Sequence, residues 1–401
     1  MKKVYVGLSG GVDSSVAALL LKEQGYDVTG VYMKNWSQDL PGIKCPWLED
    51  FQDAKRVAVQ LGIDFKVYDF ERQYFQKVVK YMLEGFKAGF TPNPDIMCNQ
   101  EIKFKLFLET ALEDGADLIA TGHYARLKPL AAPPASGGAR TPRGSRRSAV
   151  SEPPVLARRS TAYGSLRAPA HPSSSSEPTA SDRVSLLRAK DENKDQTYFL
   201  HRVSSAALAK TLFPLGDLTK PKVRQLAKKA GLTTAAKKDS MGICFVGKVG
   251  IKDFLSQYVE PKPGRIIDQA GAVVGEHDGA LFYTIGQRRG LEVGGGLPYY
   301  VVGKSMKKNE VYVTTDLQDR KLWNNKVRLT SAHWIGDLPA KETELSVRTR
   351  HRAGLISVKR LGTLSNSGAS ADLDEEVRAL TPGQSAVFYS GDVCLGGGIV
   401  V

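Results

Sequence analysis

Seven residues near the start of the chain, Ser9-Gly10-Gly11-Val12-Asp13-Ser14-Ser15, combine two glycines, three hydroxyls and a carboxylate between apolar runs. Val4-Tyr5-Val6-Gly7-Leu8 precedes them and Val16-Ala17-Ala18-Leu19-Leu20-Leu21 follows, which reads as strand, tight turn and helix. The glycines let backbone approach a ligand, and the first N–H groups of a helix lack intrahelical partners, so the turn is built for an anion such as phosphate. The serine hydroxyls add hydrogen bonds, and Asp13 is placed to hold a Mg²⁺ that shields phosphates. The lysine of the G-x-x-x-x-G-K-[ST] loop is absent, so this is not that motif.

Two of the four cysteines have chemically suggestive surroundings. Cys98 follows Thr91-Pro92-Asn93-Pro94-Asp95-Ile96-Met97 and precedes Glu101-Ile102-Lys103-Phe104, which starts a helical pattern. A thiolate at a helix N-terminus is stabilised by unpaired N–H groups, and Asp95 is near enough to move a proton. The competing reading of Cys98 is a small buried hydrophobe. Cys244 lies in Lys237-Lys238-Asp239-Ser240-Met241-Gly242-Ile243-Cys244-Phe245, a glycine-flanked, electropositive stretch that favours a thiolate or persulfide. An apolar strand position beside Ile243 and Phe245 fits Cys244 equally well. Cys45 and Cys394 lack comparable settings and read as structural. There is no C-x-x-C and no paired Cys/His spacing, so neither a disulfide framework nor a structural metal site is expected.

These residues need elements to hold them. The first 127 residues alternate strand-like runs (4–8, 27–33, 65–69, 117–121) with helical patterns (14–24, 50–61, 71–87, 100–113), the signature of βαβ units on a parallel sheet. From 128 to 185 all periodicity stops in a Pro/Ser/Arg-rich stretch, read as a disordered insertion. Order resumes at Val184-Ser185-Leu186-Leu187 with a helical region at 195–230. Beyond 248 come short strands with Gly/Pro/Asp punctuation, as in Gly264-Arg265-Ile266-Ile267, Val311-Tyr312-Val313-Thr314 and Ala386-Val387-Phe388-Tyr389. The expected fold class is α/β: a Rossmann-like parallel sheet domain (1–247), a small β-rich central domain (248–322) and a C-terminal β-barrel (323–401).

Composition sets the partners. Of the +14 net charge, residues 128–185 hold nine Lys/Arg against three Asp/Glu, leaving +8 on the remainder, enough for a polyanionic partner. No apolar run approaches the length of a membrane span, and Met1-Lys2-Lys3 leads straight into the first strand without a signal peptide, so a cytoplasmic address is expected.

With these residues in view, the chain closely resembles the tRNA-specific 2-thiouridylases, which install sulfur at the wobble uridine. The resemblance runs through the Ser9–Ser15 loop, Gly30-Val31-Tyr32-Met33-Lys34-Asn35-Trp36, Asn93-Pro94-Asp95 with Cys98, and Ala120-Thr121-Gly122-His123-Tyr124. It continues in Asn193-Lys194-Asp195-Gln196-Thr197-Tyr198, Gly242-Ile243-Cys244-Phe245, Tyr283-Thr284-Ile285-Gly286-Gln287-Arg288, Thr381-Pro382-Gly383-Gln384 and Cys394-Leu395-Gly396-Gly397-Gly398. It covers nearly the whole chain except 128–185, an insertion longer than the family's usual link. The resemblance implies a PP-loop of the adenine nucleotide α-hydrolase type, with ATP, accompanied by Mg²⁺, held by Gly7, Leu8, Ser9, Gly10, Gly11, Val12, Asp13, Ser14, Met33 and Gly122. It implies Asn93, Pro94 and Asp95 on the target base, and Lys194, Asp195, Gln196, Arg350 and His351 on tRNA. Arg350-His351 matches the family's Arg-Tyr-Arg pattern only loosely. Cys98 would be the nucleophile, Asp95 an acid/base, and Cys244 the persulfide carrier, the two cysteines passing through a transient disulfide. A persulfide-bearing donor protein, the tRNA anticodon loop and a monomeric state complete the expectation. Two rival readings remain: a PP-loop enzyme that adds ammonia or an amine to an adenylated carbonyl, and a non-catalytic RNA-binding protein.

Overall fold

The computed structural model describes residues 1–39, 45–129, 184–238, 250–294, 296–340, 342–365 and 367–401. Cys244 and all but the ends of the 128–185 insertion lie outside the described residues.

Along the first strand, β1 (Lys3–Gly7), Val4 and Val6 enter one hydrophobic cluster and Tyr5 enters another, the alternation that buries both faces of a strand. Helix α1 (Val12–Glu23) leads to β2 (Asp27–Lys34), α2 (Trp47–Leu61) to β3 (Asp64–Asp69). Helix α3 (Glu71–Tyr74), a π-helical turn (Phe75–Val79) and α4 (Lys80–Lys87) run end to end, followed by α5 (Pro94–Met97), a second π-helical stretch (Cys98–Leu106) and α6 (Phe107–Glu113). Strand β4 (Leu118–Ala120) lies on the far side of β1 from β2, with Val6 opposite both Gly30 and Ala120.

After β4 come β5 (Arg126–Pro129), β6 (Val184–Leu187), α7 (Thr197–Leu200), α8 (Ser205–Ala209), β7 (Thr211–Leu212) and α9 (Lys220–Lys229). The parallel sheet has the order β3-β2-β1-β4-β7. Strand β7 sits inside the region whose pattern predicts helix. Two residues are too few to show a period, and the edge of the sheet supplies the pairing that makes them a strand.

Helix α10 (Ile251–Leu255) enters the central domain, a sheet of β8 (Gly264–Ile267), β9 (Val273–His277), β10 (Tyr300–Ser305) and β11 (Glu310–Thr314) in the order β10-β11-β8-β9. The remaining strands, β12 (Trp323–Trp334), β13 (Ser346–Arg348), β14 (Ile356–Leu364), β15 (Gly368–Arg378), β16 (Ser385–Ser390) and β17 (Val393–Val400), form a six-stranded closed barrel. Closure is visible at Leu329 of β12, which lies opposite Ala369 of β15 on one side and Val400 of β17 on the other.

One pairing has no counterpart in the sequence pattern. The hairpin β5–β6 belongs to the first domain, yet β6 pairs with β17, placing Leu186 opposite Cys394. Residues 128–129 and 184–185, read as part of the disordered insertion, are therefore strand, with Lys128 opposite Ser185 and Pro129 opposite Val184. The neighbouring strand supplies the ladder that the short runs cannot form alone.

Candidate phosphate and thiol site

The loop from β1 to α1 is knitted by its own hydroxyls. Ser14 Oγ accepts from Ser9 N at 3.1 Å, donates to the Gly11 carbonyl at 3.1 Å and lies 3.2 Å from Ser9 Oγ. Ser15 Oγ donates to the same carbonyl at 2.8 Å. Gly11 is the N-cap in extended conformation, and no side chain caps the helix, so the positive end of α1 faces out of the loop. Gly10 has φ +71°, and a Cβ there would collide with the Asp50 carbonyl of α2, so only glycine fits this turn.

Met33 and Gly122 flank this loop. A Cβ built on Gly7 would stand 3.0 Å from Met33 Cε, and one on Gly122 would stand 2.6 Å from Ser14 N. The carboxyl ends of β1, β2 and β4 thus converge at the point where the chain turns from one side of β1 to the other, the crevice where open α/β sheets bind ligands.

Asp13 is joined to a cation from a distant helix. Both its carboxylate oxygens lie 2.8 Å from Lys220 Nζ, and Oδ1 also accepts from the Tyr124 hydroxyl at 2.9 Å. Both oxygens accept from one ammonium, so Asp13 carries a buried counter-cation beside the loop. Lys220, only 8% exposed, brings to the loop the positive charge that its own sequence lacks. The signal was present: a lysine at the first position of a helix opposes the helix dipole and needs a separate reason to be there.

The second half of the site begins at Asn93. Its Oδ1 accepts from Asp95 N at 3.1 Å and Ile96 N at 3.3 Å, and Pro94 is the first helical residue, an N-terminus with both standard devices. The helix therefore starts at Pro94, not after Gln100. Cys98 lies one turn inside it, so the free N–H groups of a helix start are not what surround its thiol. Cys98 is fully buried in the cluster that holds Phe86, Met97 and Ile102, and Asp95, half-buried, precedes it by three residues along one helical face.

Cys244 lies outside the described residues, but the chain leading to it is fastened to the phosphate loop. Thr234 Oγ1 donates to Ser15 Oγ at 3.0 Å, and Lys237 Nζ bridges Asp50 Oδ1 at 2.8 Å and Asp53 Oδ2 at 2.6 Å. Arg224 Nη1 donates to the carbonyls of Ala235 and Lys237, both at 3.0 Å. Burial pushes the thiols of Cys45 and Cys394 up, which suits structural positions.

Of the residues expected on tRNA, Asp195 is the most enclosed. It is 1% exposed, accepts from Thr197 Oγ1 and Ala189 N, and is paired with the buried Arg348 of the barrel at 2.9 Å. Its carboxylate is thus committed to protein partners. Gln196 Oε1 accepts from Tyr124 N at 2.9 Å, while Lys194 is partly exposed. Arg350 spends Nη2 on the carbonyls of Ala379 (2.7 Å) and Ile285 (3.3 Å) and on Thr381 Oγ1 (2.9 Å), tying barrel to central domain. The His351 ring packs 4.5 Å from that of Phe199, and burial with neighbouring Arg352 and Arg348 pulls its pKa down to about 4.

Comparison with known proteins places the chain among relatives along its whole length. A family model described as tRNA methyl transferase HUP domain matches residues 2–140 and 166–248. The tRNA methyl transferase PRC-barrel domain matches 252–315, and the aminomethyltransferase beta-barrel domain matches 324–400. The tRNA-specific 2-thiouridylase MnmA of Bacillus subtilis (strain 168) is 44% identical over 400 residues, covering 99% of this chain and 94% of its own. That of Bacillus velezensis is 45% identical over 403 residues with the same coverage. That of Bacillus cereus (strain ATCC 14579) is 44% identical over 400 residues, again covering 99% and 94%.

Proposed function

The chain belongs to the family of tRNA-specific 2-thiouridylases, and on that premise we propose that it thiolates the wobble uridine of tRNA by adenylating the C2 carbonyl oxygen and delivering sulfur from a persulfide on Cys244. The observation that carries the nucleotide half is the uncapped start of α1 with Met33, Gly122 and Lys220 gathered around it.

The uridine C2 oxygen is a poor leaving group. Its attack on the α-phosphate of ATP turns it into the oxygen of AMP and releases pyrophosphate. Residues Gly7 to Ser14 then hold the β and γ phosphates, while the α1 N–H groups and the Lys220 ammonium offset the charge of the departing pyrophosphate. Mg²⁺ accompanying ATP would shield its phosphates, with Asp13, held by Lys220, as the carboxylate beside them.

Sulfur then replaces AMP. The terminal persulfide sulfur of Cys244 attacks C2 and AMP leaves. The Cys98 thiolate attacks Cys244 Sγ, breaking the S–S bond, leaving sulfur on C2 and forming a Cys98–Cys244 disulfide. Alternatively the persulfide first releases its outer sulfur as hydrosulfide, with the same disulfide as by-product. A dithiol reductant reopens the pair, and a donor protein reloads Cys244. Asn93, Pro94 and Asp95 contact the base, with Asp95 as acid/base. The hydrophobic surroundings of Cys98 keep water from the activated carbonyl. The catalytic unit is residues 1–247, with 248–322 and 323–401 as central domain and barrel. We place Lys194 and the surface around Arg350 and His351 along the tRNA path. The reading includes a monomer acting in the cytoplasm; among the described residues no helix is long and apolar enough to cross a membrane.

The test is thiolation of unmodified tRNA with ATP, Mg²⁺ and a persulfide donor, followed by nucleoside analysis. One AMP and one pyrophosphate per 2-thiouridine are expected. Release of ADP would end the adenylation step, and full activity of Cys98→Ser or Cys244→Ser would end the relay. A methylated base in place of 2-thiouridine would overturn the thiolation reading.

A further inference from the structure

Two sequence stretches, Tyr283–Arg288 and Thr381–Gln384, take no part in the chemistry above, yet they meet at one residue of the catalytic domain. The Thr91 N–H donates to the Pro382 carbonyl at 2.9 Å. Its carbonyl accepts from Gln384 Nε2 at 2.7 Å. Its hydroxyl lies 3.2 Å from Thr284 Oγ1. Backbone donor, backbone acceptor and side chain are thus all committed to the other two domains, and Thr91 is 8% exposed. The fit to the barrel is close: a Cβ on Gly383 would stand 2.6 Å from Thr91 N.

The two arms are braced against each other. Arg350 Nη2 holds the Ile285 carbonyl, next to Thr284, and Thr381 Oγ1, next to Pro382. Gln287 Oε1 accepts from Thr284 N at 3.0 Å and fixes that turn in its own domain. On the catalytic side the connection is equally stiff. Pro92 has its φ locked by its ring and is pressed on Gly85 of α4, where a Cβ would stand 2.7 Å from Pro92 Cγ. Asn93 then caps α5, Pro94 is its first residue, and Asp95 and Cys98 follow within one turn. Little torsional freedom separates Thr91 from the reactive groups.

We propose that Thr91 is a positioning residue through which the central domain and the barrel set the place of Asp95 and Cys98, so that both domains act on sulfur transfer as well as on holding tRNA. The inference rests on the reading of Cys98 as nucleophile. Its physical basis is that reacting groups held near attack geometry lose rate steeply when displaced by fractions of a turn or about 1 Å.

The test removes the hydroxyl pair from either side with isosteric changes, Thr91→Val and Thr284→Val, in the full-length protein. Each is expected to lower kcat for thiolation about tenfold, with ATP affinity and KM for tRNA held within about twofold. Alkylation of Cys98 by iodoacetamide, read on its peptide by mass spectrometry, is expected to accelerate in both variants. Thr91→Ser, which keeps the hydroxyl, is expected to restore both values. Unchanged kcat in Thr284→Val, a change confined to KM for tRNA, or no rescue by Thr91→Ser would each overturn the inference. A fully active Cys98→Ser protein would remove its premise, whereas an inactive Cys98→Ser beside a normal Thr284→Val would sink the inference alone.

Discussion

Lys220 Nζ lies 2.8 Å from each carboxylate oxygen of Asp13, joining the first turn of α9 to the first turn of α1 across 207 residues of sequence. The pair stores a cation beside an anion site. A buried ammonium needs a counter-charge at all times. Asp13 supplies it before phosphate arrives, and a phosphate oxygen at the α1 N-terminus can share it afterwards.

Replacing Lys220 therefore tests the phosphate site directly. Lys220→Met keeps the aliphatic stem and removes the charge. Loss of one preorganised electrostatic group costs about 10²- to 10³-fold in rate, so kcat/KM for ATP in tRNA-dependent pyrophosphate release is expected to fall by that order. A variant within about threefold of wild type would assign the lysine to Asp13 alone and not to phosphate.

Gly122→Ala probes the same crevice from its other wall. The added methyl would meet Ser14 N at 2.6 Å and must push the β4 end away from α1. Overpacking of this kind costs about 1–3 kcal/mol, so ATP affinity measured by calorimetry is expected to weaken about tenfold. Gly336→Ala, where a Cβ meets nothing within 4 Å, serves as the neutral control. Equal ATP affinity in both proteins would place the nucleotide elsewhere.

What the sequence made legible was what local pattern encodes. The apolar run Val4-Tyr5-Val6 announced a strand, and the glycines after it announced the turn. Its blind spots were non-local. Asp195, flanked by Lys194 and Gln196, reads as surface, and only Arg348, 153 residues away, makes it core. Arg350 reads as a free cation until Ala379, Thr381 and Ile285 are seen around it. Strands β5 and β6 carry too few residues to declare a partner sheet, and the partner proves to be the barrel.

The burial of Asp195 against Arg348 has a measurable consequence. Asp195→Ala leaves the Arg348 guanidinium buried without its counter-charge, and breaking a buried pair from one side costs about 3–5 kcal/mol. Urea unfolding is expected to show a loss of that order. Arg348→Met with Asp195→Asn, which removes both charges, is expected to recover part of it. Reduced tRNA affinity with unaltered stability would return Asp195 to the RNA surface.

Acid should weaken the fold through its buried histidines. His201 is fully buried, its Nδ1–H donates to the Tyr198 carbonyl at 2.8 Å, and Nε2 is without a partner among the described residues. Burial, reinforced by Arg202, pulls its pKa from the ordinary 6.5 down to about 3, and burial pulls His351 down to about 4. The folded state thus disfavours the proton while the unfolded chain accepts it near 6.5. Between those values the unfolded state binds more protons, so stability is complete above about pH 6.5 and falls as pH drops toward 3, at up to about 1.4 kcal/mol per pH unit for one fully buried histidine. Carboxylates held low by cations, such as Asp114 beside Lys66, fade over a lower range and are common to wild type and variant. His201→Asn keeps a donor for the Tyr198 carbonyl and removes the titrating ring. The difference in urea unfolding free energy between pH 7 and pH 5 is expected to shrink in that variant. An equal difference in both proteins would mean that His201 does not resist the proton.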